Sequence, residues 1–187
     1  DSLYCDAAGS ERRRAARTVF DQIFSCLTAW LAPIICFTAE EAWTSRYPDE
    51  TGSVHLRRFP EVPADWINPE LAAKWERIRR LRRVVTGALE LERAQKRIGA
   101  SLQAHPKLFA PAADLALLAG IDFSEICITS AIDLSDQPPP PDAFQLPDTP
   151  GVAVTPGLAA GSKCERCWQV LQEVGKAEPK DLCRRCA

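Results

Sequence analysis

From Ser10 onward the chain settles into helical spacing. Apolar residues recur at Ala15, Val19, Ile23, Leu27, Trp30 and Leu31, with polar residues between them, which is the period of an amphipathic helix. Ser10 is the natural N-cap, and Glu11 puts an acid at the positive end of the macrodipole. Pro33 interrupts the pattern, and "TAEE" at 38–41 carries the capping-box order that restarts a helix through Trp43. Residues 47–63 read as a surface loop. Asn68, Pro69 and Glu70 combine an N-cap, a proline at the first helical position and an acid in the first turn. The stripe of Leu71, Trp75, Ile78, Leu81, Val85 and Leu89 that follows predicts a helix running to a stop at Gly99. That helix has about 30 residues and a length of roughly 45 Å. Two long helices with one apolar face each predict an antiparallel helical bundle over 1–98.

Beyond Gly99 the texture changes. Residues 101–110 and 124–134 have the alternating or β-branched character of strands, and 111–120 read as a short helix with a proline start and a glycine stop. The stretch 135–150 contains four consecutive prolines and reads as a stiff linker, and 151–157 offer one more short strand. The expected fold is mainly α. A bundle over 1–98 leads into a small α+β unit over 99–160 that includes the proline-rich linker, and a cysteine finger over 161–187 ends the chain.

Composition narrows the function classes. Hydrophobic residues make up 46% and charged residues 26%, as in ordinary globular proteins. The net charge is −2, so any contact with nucleic acid must come from local clusters of Arg and Lys. The absence of methionine and the opening Asp1 predict a part of a longer polypeptide. Arg12, Arg13, Arg14 and Arg17 precede an apolar run at 23–37, but that run is shorter than the ~20 residues a membrane span needs and contains Pro33. It is expected to be a buried core helix, with no membrane involved.

Four of the eight cysteines lie in the last 24 residues, as Cys164-x2-Cys167 and Cys183-x2-Cys186 with fifteen residues between the pairs. This is the spacing of a four-cysteine zinc site. Each CxxC turn aims two thiolates at one point, and the intervening loop is long enough to bring the second pair opposite the first. Lys163, Arg166, Arg184 and Arg185 favour the thiolate forms. Two disulfides or a redox CxxC are the competing readings. The other cysteines (Cys5, Cys26, Cys36 and Cys127) are dispersed in apolar contexts like free buried thiols, and neither CxxC opens a helix after a strand. With cysteine at all four positions a zinc ion is held in a closed, structural site.

No nucleotide-binding, nucleophile-elbow or HExxH motif occurs in the chain. His55 and His105 read as surface or packing residues, and Glu40 and Glu41 as a helix start. No catalytic residue is expected. Positive charge is concentrated in two places. Residues 74–97 hold nine basic residues against three acids, and a second cluster lies at Arg12 to Arg17. A solvated helix face explains one such run. Arginines at the positive end of a helix, however, are not there for stability. With Trp168 beside the metal loop, the pattern suits contact with a nucleic-acid backbone plus stacking on an unpaired base. Arg79, Arg80, Lys96 and Arg97 are the candidate phosphate contacts.

These residues also resemble a known family. "WLAPIICFTAEEAW" is similar to the anticodon-binding helical domain of class I aminoacyl-tRNA synthetases. "LERAQKRIGASLQA" and the ending "KCERCWQVLQEVGK…LCRRC" resemble the bacterial isoleucyl-tRNA synthetase family in particular. The likeness covers nearly the whole chain. It implies a cytoplasmic region that binds tRNA(Ile) and attaches to catalytic and editing domains upstream, with one structural Zn2+ on Cys164, Cys167, Cys183 and Cys186. It further implies RNA contact at Arg166 and Trp168. A similar finger closes the DNA glycosylases of the formamidopyrimidine type, which is the alternative reading, and a zinc-stabilised protein-interaction module is a third. The glycosylases' catalytic N-terminal proline, followed by acidic residues, is not found here, and their helical core lacks the segment "LAPIICFTAEEAW".

Overall fold

The computed structural model describes residues 2–48, 52–176 and 178–187; positions 49–51 of the expected surface loop lie outside them. The chain divides into two compact units, Asp1–Ile67 and Asn68–Ala187. The architecture is mainly α, with a small sheet and a four-cysteine finger in the second unit.

In the first unit α1 (Ser2–Cys5) leads into α2 (Glu11–Leu31), whose N-cap is Ser10 as expected: its Oγ accepts from Arg13 N at 3.2 Å. The chain turns at Pro33 and re-enters a helix, α3 (Cys36–Arg46), two residues before "TAEE". Thr38 is therefore not a cap. The turn is closed by Ile34 and Ile35 amides donating to Leu31 O, at 2.9 and 2.8 Å, so the helix re-forms at once. Glu40 instead reaches the following loop, accepting from Ser53 Oγ and Val54 N, each at 2.8 Å, and fixes a 3-10 turn at Val54–Leu56. Ala32, Ala39, Trp43 and Val54 form the core, with Phe24 and Tyr47 packed against it. Arg57 lies 3.9 Å over the Trp43 ring and donates to Ser25 O and Oγ, tying the loop to α2. The run at 23–37 is not the buried helix expected. Thr28 and Ala29 are buried, while Ile23, Leu27 and Trp30 are 42–47% exposed and Phe37 is 92% exposed. The small buried residues let α2 approach α3 closely, and that packing turns the large apolar residues of the sequence stripe outward.

The second unit is built on α4 (Pro69–Ala94). Asn68 Oδ1 accepts from Leu71 N at 2.9 Å and Pro69 holds the first turn. Its buried stripe (Ile78, Leu81, Val84, Val85, Ala88, Leu89) packs with Leu108 and Val154 of a sheet, with Val152 just before the latter's strand, and with Phe123 and Cys127. The long helix, expected as the second member of a bundle over 1–98, thus supplies the core of the C-terminal unit. It is also shorter than expected, with 26 residues. It ends at Lys96, which takes φ +55. Lys96 N donates to Arg93 O and Arg97 N to Glu92 O, at 3.0 and 2.9 Å. This is a Schellman closure with lysine in the place glycine usually takes, so the chain has left the helix before Gly99.

The sheet has the order β2-β1-β4-β3: β1 (Lys107–Phe109) pairs parallel with β2 (Asp133–Ser135) and antiparallel with β4 (Ala153–Thr155), which pairs antiparallel with β3 (Phe144–Gln145). Between β1 and β2 lie α5 (Ala112–Leu117) and α6 (Phe123–Cys127). The strand expected from Ser124 is a helix up to Cys127, because Asp122 Oδ1 caps it through Glu125 N and Ile128 closes it at φ +59. Its β-branched residues suggested a strand, but the cap decides. The expected linker at 135–150 is not free either. Phe144 and Leu146 pack on the core and Thr149 is fully buried.

Of the dispersed cysteines, Cys5 and Cys127 are buried as expected, Cys26 is half-buried and Cys36 is exposed. Burial pushes the Cys127 thiol up to about 12, so the reactive thiolate is scarce at pH 8. With the finger loaded with zinc, Cys36 should be alkylated within minutes at pH 8 and Cys127 only on unfolding, as read by peptide mass spectrometry. Leu81→Ala should destabilise the second unit by about 2–5 kcal/mol. Leu71→Ala, at a half-exposed position, should change it by less than about 0.5 kcal/mol. Urea unfolding measures both.

Candidate metal centre and nucleic-acid interface

The finger begins with a two-stranded hairpin, β5 (Ser162–Lys163) with β6 (Val170–Leu171). Its turn is the first CxxC. Cys164 N donates to Gln169 O and Trp168 N to Cys164 O, both at 2.9 Å, with Trp168 at φ +65. Gly161 makes this hairpin possible. It sits at φ +124, and a Cβ there would lie 2.3 Å from the Leu171 backbone. The second CxxC is a turn closed by Cys186 N donating to Cys183 O at 2.9 Å. The bonds that join the two turns include Glu165 N to Asp181 O at 3.0 Å, Cys183 N to Cys164 Sγ at 3.4 Å and Arg166 Nη1 to Cys186 O at 2.6 Å.

All four cysteines are buried, and their sulfurs lie within 4.8 Å of one another. The Cys167 and Cys183 sulfurs are 3.8 Å apart. A tetrahedron of sulfurs at ~2.3 Å from a metal has edges of about 3.8 Å, so the donor set fits one structural zinc. Burial pushes the Cys164 thiol up, but backbone N–H groups of Cys167, Cys183 and Arg166 outweigh it and bring it down to about 6. Burial and the neighbouring sulfurs push Cys167 up to about 11. The backbone thus prepares one thiolate, and a metal ion supplies the positive charge the others need.

The finger is seated on the α+β part of the same unit. Val170 N donates to Ser130 Oγ at 2.7 Å, Ser130 Oγ donates to Leu102 O at 2.5 Å, and Arg185 pairs with Glu125 at 3.5 Å. Sequence reading missed Ser130 and Glu125, whose partners in the finger lie 40 or more residues away. Gly161 did carry a signal, as a glycine shortly before the first CxxC.

The predicted RNA-contact residues separate into two groups. Trp168 is 60% exposed, with Lys163 Nζ 5.4 Å from its ring centroid. It is therefore no part of the finger's core, whose buried apolar residue is Val174. Arg79 and Lys96 are exposed, with no ion-pair partner among the described residues. Arg80 pairs with Glu76 at 2.5 Å. Arg97 closes on Glu92, and that hydrogen bond holds the Glu92 carboxyl below its ordinary range despite burial. Arg166 is engaged inside the finger. Other basic residues of 74–97 hold the unit together: Arg77 grips Asp114 at 2.5–2.7 Å, Arg82 donates to Ile126 O at 2.8 Å, and Arg83 pairs with Asp148.

Residues 1–108 match the family described as the anticodon-binding domain of tRNA ligase. The chain belongs to this family. Residues 161–187 match a second family, the zinc finger found in FPG and IleRS. Similar proteins include the isoleucine–tRNA ligases of Agrobacterium fabrum (54% identical over 94% of this chain) and Bartonella henselae (52% over 94%). That of Ruegeria pomeroyi is 51% identical over the whole chain. The chain spans 18–19% of the length of these relatives. The anticodon-binding match over 1–108 favours the synthetase resemblance over the DNA-glycosylase alternative, which shares only the finger. No helix among the described residues is long and apolar enough to cross a membrane.

Gly161→Ala should lower zinc retention during chelator challenge by at least about tenfold, because the added Cβ meets backbone that cannot move aside without opening the hairpin. A colorimetric zinc-release assay checks it. Acidification should release zinc from the parent chain as protons compete for the sulfurs.

Proposed function

We propose that this chain is the tRNA-binding C-terminal region of an isoleucine–tRNA ligase. It positions tRNA(Ile) for ATP-dependent aminoacylation carried out by catalytic and editing domains elsewhere in the full-length, cytoplasmic enzyme. The observation that carries this reading is the continuous 51–54% identity to isoleucine–tRNA ligases across both units, finger included. The contribution is binding energy and orientation, with no group in the chain taking part in bond making.

One structural zinc on Cys164, Cys167, Cys183 and Cys186 holds the two CxxC turns together, and through them the backbone that presents Trp168. The exposed indole stacks on an unpaired base, and Arg79 and Lys96 meet phosphates. Arg80, Arg97 and Arg166 act on this interface through the acids and the carbonyl they hold. Ile23, Leu27 and Trp30 of α2 and Phe37 of α3, all turned outward, are the surface that meets the rest of the polypeptide.

Filter binding with tRNA(Ile) and a duplex DNA of equal charge tests the reading. The zinc-loaded chain should prefer the tRNA, and equal affinity for both would remove the anticodon assignment. Trp168→Ala should weaken tRNA binding by about 1–3 kcal/mol with zinc content unchanged. Joint loss of zinc would make the tryptophan structural.

A further inference from the structure

The two arginine clusters of the sequence have different fates. On α4 most members find partners. In the first unit Arg12 reaches Ser2 and Asp6, and Arg13 donates to Asp6 O at 3.2 Å, holding the turn between α1 and α2. The side chains of Arg14 and Arg17 have no hydrogen-bond or ion-pair partner among the described residues. They line an open cleft of about 410 Å3 together with Thr18, Asp21, Gln22 and Arg46. A second cleft of about 380 Å3 adjoins it, shares Arg17, Asp21 and Arg46, and adds Leu3, Phe20 and Phe24.

The chemistry of the walls selects the ligand. Three guanidinium groups face one carboxylate, and that carboxylate, Asp21, is already shared with Arg46 at 3.2 Å. A surplus of two positive charges remains. Neither free arginine helps the fold, since both lie in the first two turns of α2, at the positive end of its macrodipole, and three residues apart on one face. Guanidinium pairs bind phosphate oxygens with good geometry and low desolvation penalty. Directly beside them Phe20 is 57% exposed, an aromatic face next to an anion site. In a nucleotide, phosphate and base lie side by side in this way, so one ligand unit can meet both the arginines and the ring.

We propose that the two clefts form one RNA-backbone site, in which Arg14 and Arg17 hold a phosphodiester and Phe20 takes the sugar or base of the same nucleotide. The proposal rests on the tRNA-binding reading and adds a contact surface in the first unit, separate from the finger. Gln22, whose amide has no partner among the described residues, offers the phosphate a further donor. Arg46 keeps the cleft open through its pair with Asp21.

The test measures tRNA(Ile) affinity of the zinc-loaded 187-residue chain against salt concentration, together with thermal unfolding. Arg14→Gln and Arg17→Gln should each flatten the log–log salt slope by about 0.7–0.9 and weaken binding roughly fivefold at 0.1 M salt. Both should leave the melting temperature equal or higher. Phe20→Ala should weaken binding without moving the slope. Arg58→Gln, which removes the same charge at an exposed position lining neither cleft, should leave the slope unchanged. The proposal is overturned if the double arginine variant binds like the parent, if Arg58→Gln does as much, or if the affinity loss tracks a fall in melting temperature. A parent chain that does not bind tRNA at all overturns the tRNA reading as well, so the two failures are distinguishable.

Discussion

The second unit depends on one buried stripe. Ile78, Leu81, Val84, Val85, Ala88 and Leu89 are withdrawn from water along more than three turns of α4, and each of these except the small Ala88 is worth about 1.5–3 kcal/mol against exposure. No strand of the sheet exceeds three residues, too little for a free-standing sheet. The strands persist because the helix covers them, as the close fit of Gly87 to the Phe144 ring illustrates: a Cβ on Gly87 would lie 2.9 Å from it. The sheet and α6 in turn place Ser130 and Glu125, which hold the finger. The order of dependence runs from helix to sheet to metal site.

The same helix explains why so many of its arginines are engaged. A helix that buries one face and is flanked by loops carries its charges at the margin of the buried stripe, where acids and free carbonyls of neighbouring elements come within reach. Arg77 meets Asp114 of α5, Arg82 meets the end of α6, and Arg83 meets Asp148. The Arg77 guanidinium is raised above its ordinary value by its hydrogen bond to Asp114. A basic run in the sequence therefore overstated the charge on offer to an external anion. What remains available is set by geometry: Arg79 and Lys96 are among the residues left on this unit, and Arg14 and Arg17 among those on the other.

The local features were legible in the sequence and the long-range ones were not. Ser10 and Asn68 cap the helices where the spacing placed them, because a cap needs only three neighbouring residues. The four cysteines converge as their spacing implied, since two CxxC turns and a fifteen-residue loop leave few other solutions. The stop of α4 at Lys96 was hidden because the usual glycine is absent and the closure relies on the Arg97–Glu92 pair. The partner of α4 was hidden for a different reason. Amphipathic spacing reports that a face will be buried and not what will bury it, so a second helix was the natural expectation where a sheet is found. The opposite error occurred on α2, where Thr28, Ala29 and Phe24 face the core and the large residues of the expected stripe do not. Hydrophobicity counted by side-chain size pointed to the wrong face.

The finger can present a tryptophan to solvent because its stability does not come from a hydrophobic core. In a segment of this size, burying Trp168 would be the obvious way to gain apolar area, and Val174 alone is a poor substitute. Four thiolates and one metal ion remove that need, since metal binding supplies the folding free energy. The indole is then left exposed. Its backbone is held at φ +65 by the turn that also aims Cys164 and Cys167 inward, so ligand geometry and indole orientation are a single constraint. A residue cannot be moved within this turn without disturbing both the metal site and the exposed ring.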